Sequence, residues 1–336
     1  MIDIVSRIKE LVDKEKPFAM ARVIKTWRSS PRPVGSAMLV TDSGEMIGSV
    51  SGGCVENAVV KKALEVIQSG QSKVMDFGVA DEEAWEVGLS CGGQISVLIT
   101  PFMEDDAYVK FLRFLNNKKD FFILTRLEGP SHSNPVYMDR MDDELAGNPV
   151  LVQNIKAAFA SGVSGAVVQS RVGDEYFAHF FRKKPLLILI GSAHITSELL
   201  ALAHMYDFET VVIDPRDTFA KKTSRKEEPG QLLVNWPQEV LNDFTLDKDS
   251  YAVILSHDPK IDDEALNILL PSEVRYIGAL GSKKTHAKRV ERLKSYGFSD
   301  EPIASIDAPI GIDIGSQTPK EIALSVMGAL IKAKNS

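Results

Sequence analysis

The sequence predicts an α/β protein in two parts: an N-terminal α+β domain over residues 1–182, then a Rossmann-like, doubly wound parallel-sheet domain over residues 183–336. Three observations carry this. Leu186-Leu187-Ile188-Leu189-Ile190 is a continuous apolar run, the pattern of a strand buried on both faces. It opens through Gly191-Ser192-Ala193-His194 into a helical pattern, and the next run, Thr210-Val211-Val212-Ile213, ends in Asp214, 23 residues after Gly191. Before the charged break Arg182-Lys183-Lys184-Pro185 the apolar runs are short and several are joined by hairpin turns.

The bulk properties narrow the function classes. With 336 residues and 44% hydrophobic composition, the chain can build more than one core. A net charge of −7 argues against nucleic acid or an anionic membrane surface as partner. Ile4, Ile8, Leu11 and Val12 alternate with Arg7, Lys9 and Glu10 as an amphipathic helix, not a signal core. No apolar run reaches the roughly 20 residues that a bilayer requires. Two cysteines, Cys54 and Cys91, fit a reducing compartment. The expectation is a soluble cytoplasmic protein.

Within the first domain, Phe18–Ile24 reads as a strand. It feeds a loop, residues 26–35, in which Arg28 and Arg32 flank Ser29 and Ser30, a composition suited to phosphate or carboxylate. Residues 37–40 and 45–50 form a hairpin around Asp42-Ser43-Gly44. The hairpin delivers the chain into Gly52-Gly53-Cys54-Val55-Glu56, and a helix with Val59, Val60, Ala63, Leu64 and Ile67 follows, stopping at Gly70. Cys54 then lies at or beside a helix N-cap, where amides and the helix dipole favour a thiolate. Such a sulfur suits an anion, a metal centre or a sulfur donor. A small cysteine packed under a turn explains the same residues.

A second glycine-flanked cysteine, Cys91-Gly92-Gly93, precedes the strand Ile95–Ile99, and the flanking strands can bring both cysteine loops to one sheet edge. A separation of 37 residues without Cys-x-x-Cys is no structural zinc pattern. His132 and His179 have no motif around them. The rest of the domain reads as a helix over 107–115, a strand over 121–127, a polar stretch, a helix near 150–160 and a hairpin from Gly165 to Phe181.

In the second domain the dinucleotide fingerprint is degenerate. Ala193 stands at the second glycine position and Thr196 at the third, and a Cβ at Ala193 crowds a pyrophosphate. A nucleotide in this half and a fold that has lost it both remain compatible. Residues 251–255 end in Ser256-His257-Asp258, at the strand end where such folds bind ligands. Residues 275–278 lead to Gly281-Ser282-Lys283, which opens a helix bearing Lys288, Arg289 and Arg292, an anion site or a solvated basic face. An apolar loop around Asp313 precedes Thr318-Pro319-Lys320-Glu321, a capping box.

Taken together, Ser30-Pro31-Arg32-Pro33 with Gly35, the run Gly48–Glu56, Cys91-Gly92-Gly93, Gly191 with His194, Asp214 with Arg216, the run Tyr276–Ser282 and the run Pro309–Gly315 resemble the xanthine dehydrogenase accessory family, XdhC/CoxI. The resemblance covers nearly the whole chain. It implies an accessory protein that binds molybdenum cofactor, as molybdopterin or its dinucleotide form, and supports its sulfuration with a cysteine desulfurase. Delivery to a xanthine dehydrogenase-type molybdenum hydroxylase would follow. It places Cys54 and Cys91 at the cofactor or sulfur-transfer site with Glu56 beside them, as possible contacts to molybdenum or sulfur. The remaining cofactor-binding candidates are Arg32, Gly52, Gly53, Gly92, Gly191, His194, Asp214, His257, Gly281, Ser282, Lys283 and Asp313. The expectation is a cofactor-insertion chaperone more than a stand-alone enzyme, with a homodimer compatible. The rival readings are a component of xanthine dehydrogenase itself, an NAD(P)-dependent oxidoreductase with His257 or His286 as acid–base, and a thiol redox protein.

Overall fold

The short runs of the first domain fold as two antiparallel sheets. The structure is a computed structural model that describes residues 2–28, 32–78, 93–102, 120–127, 136–138, 145, 147–217 and 227–336. It divides into two compact units, residues 1–183 and 184–336. The expected helix over 107–115 and His132 lie outside the described residues.

In the first unit, helix α1 (Ile2–Asp13) leads into β1 (Phe18–Trp27), β2 (Ala37–Thr41) and β3 (Met46–Gly48). Helix α2 (Glu56–Ser69) and strands β4 (Lys73–Phe77) and β5 (Gln94–Phe102) follow. The five strands are ordered β3-β2-β1-β5-β4. Alternation along β1 decides the two faces. Ala19, Ala21 and Val23 pack with Val59, Ala63 and Val66 of α2, whereas Phe18 and Met20 pack with Ile4, Ile8 and Leu11 of α1. The helix α2 ends at Gly70, in the left-handed conformation that stops it.

A second sheet, ordered β7-β6-β9-β8, comprises β6 (Phe121–Arg126), β7 (Val136–Met138), β8 (Gly165–Gln169) and β9 (Glu175–Phe181). Helix α3 (Pro149–Ala160) covers it through Leu151 and Ile155, and Phe121, Ile123 and Phe181 join the α1 core. His179 is buried here and bonds the Gly35 carbonyl at 3.0 Å, so it ties the second sheet to the loop before β2. Burial first, and the Arg22 charge second, push its pKa down to about 3.

The second unit is a parallel sheet ordered β12-β11-β10-β13-β14-β15. Its strands are β10 (Leu186–Ile190), β11 (Glu209–Ile213), β12 (Gln231–Leu233), β13 (Ser250–Ile254), β14 (Tyr276–Ala279) and β15 (Ile306–Asp307). The order reverses between β10 and β13, the arrangement of a Rossmann sheet. Along β10, Leu187 and Leu189 face α4 (His194–Met205), while Ile188 and Ile190 face the other side. After the short α5 (Pro237–Val240) come α6 (Pro259–Leu269), α7 (Lys283–Ser295), α8 (Asp300–Ala304) and α9 (Pro319–Asn335). Val326, Met327 and Leu330 of α9 join the α4 face; Leu266 and Leu269 of α6 and Leu293 of α7 join the opposite one. The capping box forms: Thr318 Oγ1 accepts from the Glu321 amide, and Glu321 accepts from the Thr318 amide at 2.9 Å.

Candidate functional site

The glycine–cysteine turn is built around one carboxylate. Glu56 opens α2 and is only 7% exposed. Its Oε1 accepts from Ser49 Oγ at 2.6 Å and from the amides of Ser51 at 2.9 Å, Gly52 at 3.1 Å and Val50 at 3.2 Å. Its Oε2 accepts from Ser51 Oγ and from the amides of Gly53 at 2.9 Å and Val55 at 3.2 Å. Burial works against the charge, but the Ser49 and Ser51 hydroxyls and the Ser51 amide outweigh it and hold the carboxyl at about 2. The amides that the sequence offered to an outside anion therefore converge on a side chain of the loop itself.

Cys54 precedes the helix cap Val55. It is half-buried, packs beside the α2 core, and its amide donates to Ser51 Oγ at 3.0 Å. Gly52 and Gly53 are exposed. The register shows what else leaves the sheet in this direction. Trp27, the last residue of β1, lies opposite Gln94, the first of β5; Phe77, the last of β4, lies opposite Ile95; and Gly48 closes β3 opposite Met38. The connections after Trp27, Gly48 and Phe77 therefore run out in one direction, but β3 and β4 are opposite edges of the sheet, and Gly48, level with Met38, Ala21 and Ile99, leaves four residues along β5 short of Ile95. The exposed Arg32 belongs to the first of them and Cys54 to the second. Cys91 and Gly92 fall within the third and lie outside the described residues. Among the described residues no group of three or more His, Cys, Asp or Glu side chains could hold a metal ion.

In the second unit the polar candidates collect at the C-terminal ends of the parallel strands. Gly191, with φ of 105°, brings the β10 turn against the backbone of Ser256, where a Cβ would stand 2.6 Å from its Cα. Asp214 is 0% exposed and both oxygens are engaged. Oδ1 accepts from the Arg216 amide at 3.0 Å and Nε at 2.8 Å; Oδ2 accepts from the Ser192 amide at 2.8 Å and Arg216 Nη2 at 2.9 Å. Burial opposes ionisation of Asp214, but these bonds and the guanidinium charge hold its carboxyl below the ordinary range. Arg216 Nη1 also donates to the Ser256 carbonyl at 3.3 Å, so the side chain reaches from β11 toward the end of β13.

The network continues. Ser256 Oγ donates to Asp262, whose carboxyl burial pushes upward, and Asp262 pairs with Arg289 at 3.4 Å. Arg289 also donates to the Leu280 carbonyl at 3.0 Å, and Arg292 pairs with Asp263. The α7 basic residues are thus divided: Arg289 is buried at 2% exposure, while Lys288 is exposed. His194 and His257 are exposed, His257 with φ of 61°. Ser282 caps α7 through the Thr285 amide, Lys283 is exposed, and Asp313 accepts from the Gly315 amide at 3.2 Å.

Two family descriptions match this chain. Residues 11–78 match the XdhC and CoxI family, and residues 187–330 match the XdhC Rossmann domain. The chain belongs to the XdhC/CoxI family. Among the relatives, a probable xanthine dehydrogenase subunit of Bacillus subtilis is 26% identical over 96% of this chain and 95% of its own. The molybdenum cofactor insertion chaperone PaoD of Escherichia coli is 24% identical over 95% of this chain and 84% of its own. A crystal structure described as a xanthine dehydrogenase from Bacillus halodurans superposes with a TM-score of 0.75 at 26% identity, covering 98% of this chain and 95% of the other.

Within this XdhC/CoxI chain, sequence reasoning passed over Ser49, Ser51, Ser192 and Asp262 as site residues, and the pairing of Asp262 with Arg289. For Ser49 and Ser51 a signal existed, since hydroxyls and amides just before a helix-opening Glu are the makings of a carboxylate nest. For Asp262 and Arg289 none existed, because their pairing spans two helices. Among the described residues no helix is long and apolar enough to cross a membrane.

Proposed function

We propose that this protein is a molybdenum-cofactor insertion accessory protein for a molybdenum hydroxylase of the xanthine dehydrogenase type. In this reading it binds the cofactor as cargo, supports its sulfuration by a cysteine desulfurase, and delivers it. The observation that carries it is the half-buried Cys54 in an exposed glycine turn ordered by Glu56, in a chain similar to a named insertion chaperone over 95% of its length.

The chemistry of the donors fits such cargo in part. A thiol at Cys54 suits a soft metal or a mobile sulfur. The turn around it does not suit the cofactor's phosphate, because its amides already serve Glu56. The Gly281-Ser282-Lys283 turn opening α7 is the phosphate candidate of the second unit, with Lys283 exposed at a helix N-terminus. When bound, the cofactor supplies the metal and dithiolene chemistry; the chain's own residues hold it, and Cys54 with Cys91 handle its sulfur end.

The test is a hydroxylase matured with or without this chain. Replacing both Cys54 and Cys91 by Ser should leave the hydroxylase inactive, desulfo or cofactor-poor, and mass spectrometry of the purified wild-type protein should reveal a pterin. Fully active hydroxylase from cells carrying the double variant would defeat the proposal. The nicotinamide-oxidoreductase reading is disfavoured by Asp214, since the acid that would hold a ribose is bonded to Arg216 and Ser192.

A further inference from the structure

Gly53, just before Cys54, is not there for want of room. A Cβ built on Gly53 meets nothing within 4 Å. What the glycine pair supplies is direction: Gly52 has φ of 80° and Gly53 of 121°, backbone that L side chains rarely adopt. With those angles both amides turn inward, onto the Glu56 carboxylate. Gly-Gly-Cys-Val-Glu is thus one device, in which the acid at the helix start and the glycines before the cysteine require each other.

We propose that Glu56 is the positioning residue of the Cys54 loop: its buried carboxylate gathers the amides on both sides of Cys54 and fixes the loop before any ligand arrives. The loop then meets its ligand with the cysteine and not with an anion-binding ring of amides. Three features support this. The carboxylate bonds the amides of Gly53 and Val55, the residues on either side of Cys54. Ser51 Oγ, itself bonded to Glu56, accepts from the Cys54 amide. Releasing the carboxylate would leave charged oxygen and the buried amides of Val50, Ser51 and Val55 without that partner, which is costly for buried groups. A phosphate could enter only by displacing it. The ligand class at this loop is therefore a neutral or soft group, the sulfur or metal end of the cargo; that identification rests on the function proposed above.

The experiment uses the cofactor-free protein with Cys91 replaced by Ser, so that Cys54 is the only thiol. Its alkylation rates with iodoacetate and with iodoacetamide are measured, and their ratio is compared with that of the urea-unfolded chain. The native ratio should not exceed the unfolded one; a native loop that prefers the anion would overturn the proposal. In Glu56→Gln the carboxamide cannot satisfy the same converging donors as an anion, and the amides become available to the reagent. The iodoacetate-to-iodoacetamide ratio should rise by about threefold or more, the scale of anion attraction to freed N–H groups. A smaller rise in the folded variant would overturn the proposal. Should Glu56→Gln fail to fold, Gly53→Ala serves in its place, because it misdirects one amide while adding a Cβ to open space, and the same ratio decides. A hydroxylase that matures without Cys54 and Cys91 would end the cofactor reading but leave these ratios, and the role of Glu56, standing.

Discussion

Among the glycine turns that lead from a strand into a helix, two, β3 into α2 and β10 into α4, hold an internal carboxylate that takes amides a bound anion could have used. In the first, Glu56 comes from the turn's own helix and is surrounded by neutral amides and hydroxyls. In the second, Asp214 comes from the neighbouring strand, takes the Ser192 amide and is neutralised by Arg216. The difference is one of scale. A local acid organises a single loop around a cysteine, whereas a distant acid with its arginine joins β10 to β11, and Arg216 extends the link to the end of β13. The first turn is therefore a unit that can be tuned by itself, and the second cannot be altered without disturbing the sheet.

The glycines themselves sharpen that contrast most. At Gly191 an added Cβ would lie 2.6 Å from Ser256 Cα and 2.7 Å from its nitrogen, backbone against backbone between two central strands. Gly191→Ala should cost about 4 kcal/mol, combining left-handed strain with overpacking. Gly53→Ala meets open space and bears only the conformational strain, roughly 1–2 kcal/mol. Urea denaturation of the two variants checks this; equal losses would mean that the second turn is no more constrained than the first.

The acid of the first turn should reveal itself through pH. Glu56 is held at about 2, against an ordinary value of 4.5. A depressed carboxyl contributes stability that is fully present above the unfolded value and is lost as pH falls from there through the folded value. The shift corresponds to roughly 3 kcal/mol. At neutral pH, Glu56→Gln should be less stable than wild type by about that amount. The gap should be constant above pH 4.5 and close as pH approaches about 2. Urea midpoints taken down this range test it, and a gap that does not narrow would show that the carboxylate's charge is not what holds the loop.

The sequence made the scaffolding of both turns legible and their occupants less so. The apolar run Leu186–Ile190, the glycine after it and the acid at the end of β11 sufficed for the Rossmann half, since burial on both faces writes itself as continuous hydrophobicity. Strands β12 and β15 are three and two residues long, too short for any period to register. The Gly-Gly-Cys turn and the helix after it were visible too. That its amides point at Glu56 was not, because hydrogen-bond direction depends on φ at Gly52 and Gly53, and residue identity permits those angles without specifying them. Arg289 is the clearest case of information absent from a single helix. On α7 it reads as one more basic residue beside Lys288, and only α6, with Asp262, makes it a buried one.

The change most able to break the comparison belongs to Arg216. Its side chain is 29% exposed, whereas Asp214 is fully buried, so the pair is screened on one side only. Arg216→Ala removes the two guanidinium bonds and leaves Asp214 with backbone amides alone. A fully buried pair broken this way costs about 3–5 kcal/mol; the partial exposure lowers the expectation to about 2 kcal/mol. Burial, the largest influence on Asp214, would then go unopposed by the guanidinium, and its carboxyl should titrate higher than in wild type. The same change uncovers the acceptor that a ribose diol uses in a Rossmann crevice. Calorimetry should therefore find NAD binding to the variant tighter than to wild type. If wild type binds NAD as well or better, Arg216 does not close the crevice, and the second turn must be regarded as open to a nucleotide while the first stays closed around Glu56.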